Sequence, residues 1–264
     1  CLNISLRKLN SSECKINIKK ILGDNCEVPL EILTLISQSA NGNITYIEQV
    51  LQYLFERKNL VFKDKIVKFK KDPEPEIPYN LEKCLFARLD FLKDNFEQEY
   101  IFLMTASLLG DKLDYKLLSQ VFELNESGFF ELVKKLEKRG YFKKDYNDSY
   151  CFKNSLTWSY CYIRSKEEKL IVDKALAVLT ELNNRTISTP LICPILAQII
   201  DNKELAFNLW TKNLQYASYI GDVNIYTMAQ KQCLILLESV KLDNIDYIKS
   251  NICSRLGKLT YTKS

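Results

Sequence analysis

Apolar positions along this chain fall mostly at helical spacing. Ile47, Val50, Leu51 and Leu54 repeat at i, i+3, i+4 and i+7, which stacks them on one face of a helix. The same period runs through Leu81, Leu85, Leu89 and Leu92, with Arg88 set in the stripe, and through Phe129, Leu132, Val133 and Leu136. Polar residues set the ends. Ser11 or Ser12 is expected to cap a helix running to about Leu22, and Pro29 suits the first turn of the next. Gly42 can close that helix in the left-handed conformation and Asn43 can cap its successor, so Ser37 to Arg57 reads as a joint between two helices. Further helices are predicted from Glu97 to about Leu109, ended by Gly110, from Asp114 to Phe122, and from a cap at Asn125 to a stop at Gly140. Ser165 with Glu168 three residues on spells a capping box and predicts one long helix from about Lys166 to Leu182. From Pro190 onward, helices alternate with turns at Asp201/Asn202, Gly221/Asp222 and Asp243/Asn244.

Strand-like patterning is confined to three places. Leu2, Ile4, Leu6 and Leu9 suggest the final strand of a sheet. Leu60 to Phe62 and Ile66 to Phe69 read as two short strands turning at Asp64. Residues 141–154 read as a hairpin turning on Asn147 and Asp148, and helices followed by one hairpin is the order of a winged helix. Between these lies Asp72 to Pro78, with three prolines in seven residues, which continues neither helix nor central strand and marks a domain junction. The expectation is a mainly α fold in three parts: a helical domain with short strands over 1–72, helices plus hairpin over 73–156, and a helical-repeat region over 157–264.

Composition narrows the chemistry. Only 7 glycines and 6 prolines occur in 264 residues, which favours long helices over a many-turned sheet protein. The net charge of +4 comes from basic and acidic residues that alternate along most helices, so the total implies no nucleic-acid or membrane field. No run approaches 18 apolar residues, and no membrane segment is expected. The chain has no histidine, which removes histidine acid/base chemistry, catalytic triads and mixed Cys/His zinc sites. Nine cysteines are scattered without a C-x-x-C pair; Cys84, Cys233 and Cys253 fall on apolar faces, as buried thiols of a reducing, cytoplasmic compartment would. The glycines never fall at G-x-x-x-x-G-K-[ST] spacing, so no P-loop is present and no nucleotide cofactor is expected on this chain itself. Asp90 and Asp94, one turn apart, read as a solvated pair rather than an acid/base couple, and no catalytic or metal-ligating residue is nominated. DNA is disfavoured as a partner. The candidate reading helix from Asn125 to Arg139 begins with Glu126 and Glu131 behind Glu123, which repel phosphates, and its Lys134, Lys135, Lys138 and Arg139 lie at the other end. Lys143 and Lys144 are offset by Asp145 and Asp148. The aromatic residues Trp158, Tyr160 and Tyr162, and Trp210, Tyr216 and Tyr219, suit core packing or a concave face that receives a peptide. With Cys1 at one end and a helical pattern still running at Ser264, the chain reads as a piece of something longer.

The joint also carries a resemblance. A helix, then Gly42-Asn43, then a helix rich in aromatics and acids that ends in Leu51-x-x-Leu54 resembles the lid behind the nucleotide-binding domain of STAND-type signalling ATPases. That family includes the ATPase regions of soluble class III adenylyl cyclases and of some bacterial transcriptional regulators. Its Gly-Asn is usually followed by proline, where this chain has Ile44. Leu6, Leu9, Ser11, Ser12 and Glu13 are similar to the phrase that leads into the lid. Ile77, Pro78, Asn80, Leu81, Ala87, Arg88, Leu89, Asp90 and Leu92, followed by Ala106, Ser107, Leu109, Gly110, Leu117, Leu118, Leu132, Leu136, Arg139, Gly140 and Tyr141, are similar to the winged helix that follows it. Asn154 stands where that unit commonly has histidine. Ala206-x-x-x-Trp210 and Ala217-x-x-x-Gly221-Asp222 are similar to the family's TPR-like repeats, and residues 255–259 to the opening of another. The resemblance implies a regulatory and scaffolding arm with Gly42, Asn43 and Ile44 close to a nucleotide and Arg88 and Asp90 at an interdomain contact. It also implies ATP on the parent, with the upstream ATPase domain, an effector domain and a protein bound to the repeats as partners. A winged-helix transcriptional regulator and a helical-repeat adaptor that never meets nucleotide are the alternatives.

Overall fold

The computed structural model describes residues 7–23, 26–63, 66–69, 76–185 and 191–239. Among them the fold is mainly α, with twelve α-helices and two antiparallel strand pairs. The chain divides into two compact units, one made of residues 1–103 and 130–161 and the other of 104–129 and 162–264.

The first unit opens with α1 (Ser11–Leu22), α2 (Leu30–Ala40) and α3 (Ile44–Glu56). The predicted stripe of α3 is its buried face: Ile47, Val50, Leu51 and Leu54 are all sealed from solvent and pack with Cys14 and Ile18 of α1 and Ile32, Leu33 and Ile36 of α2. Asn10, not Ser11 or Ser12, caps α1. Its side-chain oxygen accepts from the Glu13 amide at 2.9 Å while the Glu13 carboxylate accepts from the Asn10 amide at 2.8 Å. This reciprocal pair satisfies two amides at once, which a serine one place along could not do with Glu13. Strands β1 (Leu60–Lys63) and β2 (Ile66–Phe69) pair antiparallel with Leu60 opposite Phe69, and their inner residues Leu60 and Val67 join the helical core. The strand expected near the start is not seen over the part described: residues 7–10 are irregular, with Leu9 packed on the helical core, while Leu2, Ile4 and Leu6 lie outside the described residues. The turn at Asp64 and most of the proline-rich segment lie outside them too.

Helix α4 (Leu81–Asn95) is capped by Asn80, whose side chain accepts from the Lys83 amide at 2.8 Å. Then come α5 (Glu97–Leu109), α6 (Tyr115–Val121) and α7 (Glu126–Lys138). The boundary between the units passes through α5 and α7. After α7 the chain forms the expected hairpin, β3 (Phe142–Lys144) against β4 (Tyr150–Phe152), with Asp148 at φ 55° in its turn. Phe142 packs edge-on against Phe152 at 5.0 Å and against Phe102 at 6.5 Å.

Helix α8 (Ser155–Ser165) follows, begun by Asn154, whose side chain accepts from the Thr157 amide at 2.8 Å. The single long helix expected from Lys166 does not form. Ser165 is the last residue of α8, buried, and its hydroxyl donates to the Tyr162 carbonyl at 2.8 Å, so it is not available to cap a new helix. Glu168 takes that task, accepting from the Leu170 amide at 3.3 Å above a short 3-10 turn (Lys169–Ile171) that leads into α9 (Val172–Arg185). In the second unit α9 meets α6, where Lys174 donates to the Val121 carbonyl at 3.0 Å and lies over the Phe122 ring. Helices α10 (Ile192–Ile199), α11 (Lys203–Ile220) and α12 (Val223–Leu237) then stack in sequence, with Asn202 and Asp222 as caps and Gly221 left-handed at φ 74°. The expected turn at Asp243/Asn244 and the segment 255–259 lie outside the described residues.

Candidate functional site

Gly42 sits where two left-handed residues follow each other. Asn41 at φ 45° ends α2, and Gly42 at φ 77° turns the chain so that the Asn43 side chain accepts from the Tyr46 amide at 3.2 Å and starts α3. The corner is crossed closely by the segment before α1. The Leu9 amide donates to the Gly42 carbonyl at 3.3 Å, and a Cβ on Gly42 would lie 2.6 Å from the Leu9 carbonyl oxygen and 2.8 Å from its nitrogen. Only glycine tolerates both the dihedral angle and that approach.

Around the corner is a cavity of about 520 Å³ that brings Gly42, Asn43 and Ile44 together with Arg7, Lys8 and Tyr79. Ile44 is 43% exposed and Tyr79 75% exposed, large apolar surfaces at the cavity's rim. Behind them the Tyr46 hydroxyl donates to the Pro78 carbonyl, and burial pushes its pKa up to about 12, which keeps it a neutral donor. Arg7 makes a two-pronged pair with Glu13 at 2.9 and 2.5 Å, which holds the arginine's pKa up and the carboxylate's down. The sequence offered no sign of Arg7, Lys8 or Tyr79. They reach the corner by tertiary packing of segments remote in sequence on either side, which no local pattern records.

Arg88 has a different setting. It is fully buried, and its guanidinium donates to both carboxylate oxygens of Glu56 at 2.9 and 2.7 Å, to the Gln49 side chain and to the Arg139 carbonyl, with the Tyr141 ring 4.6 Å away. One side chain thus ties α3, α4, the end of α7 and the entry to β3. Burial opposes the charge on Arg88, but its interactions with Tyr141 and Glu56 outweigh that, so its pKa is raised and it stays protonated. Desolvating such a pair is repaid only when nearly every donor is satisfied, as here. Asp90 lies exposed on α4. Gln49 and Glu56 stand seven residues apart at the edge of the α3 stripe, and their meeting with Arg88 rests on how α3 and α4 pack.

Three of the six basic groups considered for DNA are paired with acids. Glu131 and Lys135 pair at 2.8 Å, Arg139 and Glu99 at 2.8 Å, and Lys144 and Asp148 at 3.4 Å. Among the aromatic residues, Trp210 is buried in the α10–α12 stack, whereas Tyr216 and Tyr219 are exposed on α11. Among the described residues no cluster of His, Cys, Asp or Glu could hold a metal ion, and no helix is long and apolar enough to cross a membrane.

The class these observations define is a mainly α protein with two small strand pairs among the described residues and a cavity beside the Gly42 corner. Compared with family models, with curated proteins and with solved structures, the chain finds no match in any of the three.

Proposed function

We propose that the chain is the lid and regulatory arm of a STAND-type signalling ATPase, coupling the nucleotide state of a neighbouring domain to an effector by interdomain packing. The observation that carries this reading is the Gly42–Asn43 corner: glycine is required there by φ 77° and by the close approach of Leu9, and the residues after it line an open cavity with Arg7 and Lys8. A helix start beside Lys8, an exposed aromatic and an Arg7 that would have to exchange its Glu13 partner for phosphate has the chemistry to meet the phosphates and base of a nucleotide held by another domain. Helices α5, α6 and α7 followed by the β3–β4 hairpin are read as the winged unit behind the lid, and α10–α12 as TPR-like repeats. ATP belongs to the parent in this account, and the effector is either a class III cyclase or a transcriptional module. A second reading, a helical adaptor that binds a protein, is favoured by Tyr219, 89% exposed on α11. The coding sequence upstream of Cys1 tests the choice. The ATPase reading requires G-x-x-x-x-G-K-[ST] after a strand within about 250 residues, the size of one ATPase domain. Its absence there would leave the adaptor.

A further inference from the structure

We propose that Asn41 is a self-modification site: when the Gly42 corner opens, the Gly42 amide nitrogen attacks the Asn41 side chain and converts it to aspartate or isoaspartate, a change that the closed corner prevents. The inference rests on the geometry of the corner and does not depend on the nucleotide reading. Asn41–Gly42 is the one Asn-Gly pair in the sequence. The corner dictates both residues. Asn41 takes a left-handed φ of 45°, which asparagine tolerates better than most residues, and position 42 must be glycine for its φ of 77° and the approach of Leu9. The same pair is chemically labile, since glycine has no Cβ to shield its nitrogen. Asn41 is exposed, and its carboxamide makes no hydrogen bond among the described residues. The Asn10 and Asn154 side chains, each followed by a serine, are instead held by the Glu13 and Thr157 amides at 2.9 and 2.8 Å.

The reaction needs only the chain and water. The Gly42 nitrogen, its proton taken by hydroxide, bonds to the Asn41 Cγ; the Cγ–Nδ2 bond breaks and ammonia leaves, closing a cyclic imide. Water then opens the imide, giving aspartate when the Cγ–N bond is cut and isoaspartate when the main-chain carbonyl is cut from the nitrogen. In the closed corner the ring cannot form. At ψ 39° the Gly42 nitrogen lies across the Cα–C bond from the Asn41 Cβ, whereas the imide needs the two on the same side. Turning that bond means releasing the 2.9 Å bond from the Asn43 amide to the Ala40 carbonyl and the 3.3 Å bond from the Leu9 amide to the Gly42 carbonyl. Either product places a carboxylate at the C-terminal end of α2, where the helix dipole disfavours it, and isoaspartate also lengthens the main chain inside the turn. The change is one-way, so a corner that has opened and reacted does not close again as before.

The test incubates the whole chain beside a peptide of residues 37–46 at pH 8 in water enriched in the heavy oxygen isotope, and follows each asparagine by peptide mass mapping. Asn41 of the folded chain should take up the label before Asn10 or Asn154 does. It should react at least about tenfold more slowly than in the peptide, the ratio that about 1.4 kcal/mol of opening free energy sets. Leu9→Ala, which loosens the segment crossing the corner, should narrow that ratio; the comparison of unaltered chain with peptide stands on its own should that variant fold poorly. Equal rates in chain and peptide would overturn the proposal, as would label at Asn10 or Asn154 with none at Asn41, or a Leu9→Ala chain that is folded by circular dichroism and reacts no faster than the unaltered one.

Discussion

Replacing Gly42 with alanine isolates the close approach that defines the corner. A left-handed residue with a Cβ costs about 1 kcal/mol from its dihedral angle alone. At Gly42 the new methyl would also lie 2.6 Å from the Leu9 carbonyl oxygen and 2.8 Å from both the Leu9 nitrogen and the Lys8 Cβ. Two of these atoms are backbone, so the segment before α1 must move away. That movement forfeits the 3.3 Å bond from Leu9 to Gly42, about 1 kcal/mol, and loosens Leu9 from the core, about another 1 kcal/mol. Gly140 is the matched control in the same unit. Its φ is 75°, and a Cβ there meets only the Gln52 side chain at 3.8 Å, an ordinary contact. Gly42→Ala should therefore cost about 3 kcal/mol and Gly140→Ala about 1 kcal/mol, a gap of about 2 kcal/mol. Urea unfolding followed by helical circular dichroism and by tryptophan fluorescence reads both, with coincident transitions checking that one step is measured. Equal costs within about 0.5 kcal/mol, the scatter of surface substitutions, would refute the close approach.

Two further outcomes follow from buried groups. Arg88→Met should destabilise by about 3–5 kcal/mol, because it strands the Glu56 carboxylate in the interior, and adding Glu56→Gln should recover part of that loss in the same urea assay; a single-variant cost below about 1 kcal/mol would show the pair to be dispensable. Burial pushes the Cys84 thiol up to about 12 and those of Cys193 and Cys233 to about 11, from an ordinary value of 9.0. The folded state thus favours the neutral thiols, and their contribution is complete below about pH 9 and is lost as the pH rises toward 11, because the unfolded chain ionises first. The urea midpoint should fall across that interval, and at pH 8 a thiol reagent should leave these three cysteines unmodified until the protein unfolds; a flat profile or rapid native labelling of Cys233 would contradict this.

How much was legible in the sequence depended on how local the cause was. The buried stripe of α3, the bounds of α5 and the hairpin at Phe142–Phe152 follow from periodicity and from turn residues that act within a few positions. The joint at Gly42 was readable for the same reason. Two caps misled for a common cause: Asn10 outcompeted Ser11 and Ser12 because Glu13 could answer it, and Ser165 turned its hydroxyl back onto α8. Side-chain choices of that kind are decided by geometry, not by residue type. The cavity at the corner was not legible, since Arg7 and Tyr79 reach it from remote segments. Nor was Glu56 as the carboxylate that holds Arg88, because that choice rests on how α3 and α4 pack.

The most direct measurement is hydrogen exchange on the proposed ATPase parent, loaded with ATP and then with ADP. If the corner contacts a nucleotide-bearing domain in one state and leaves it in the other, amides of residues 39–46 and 79–81 should exchange at different rates in the two states while the β3–β4 hairpin keeps one rate in both. Identical exchange at 39–46 and 79–81 under the two nucleotides would contradict the account.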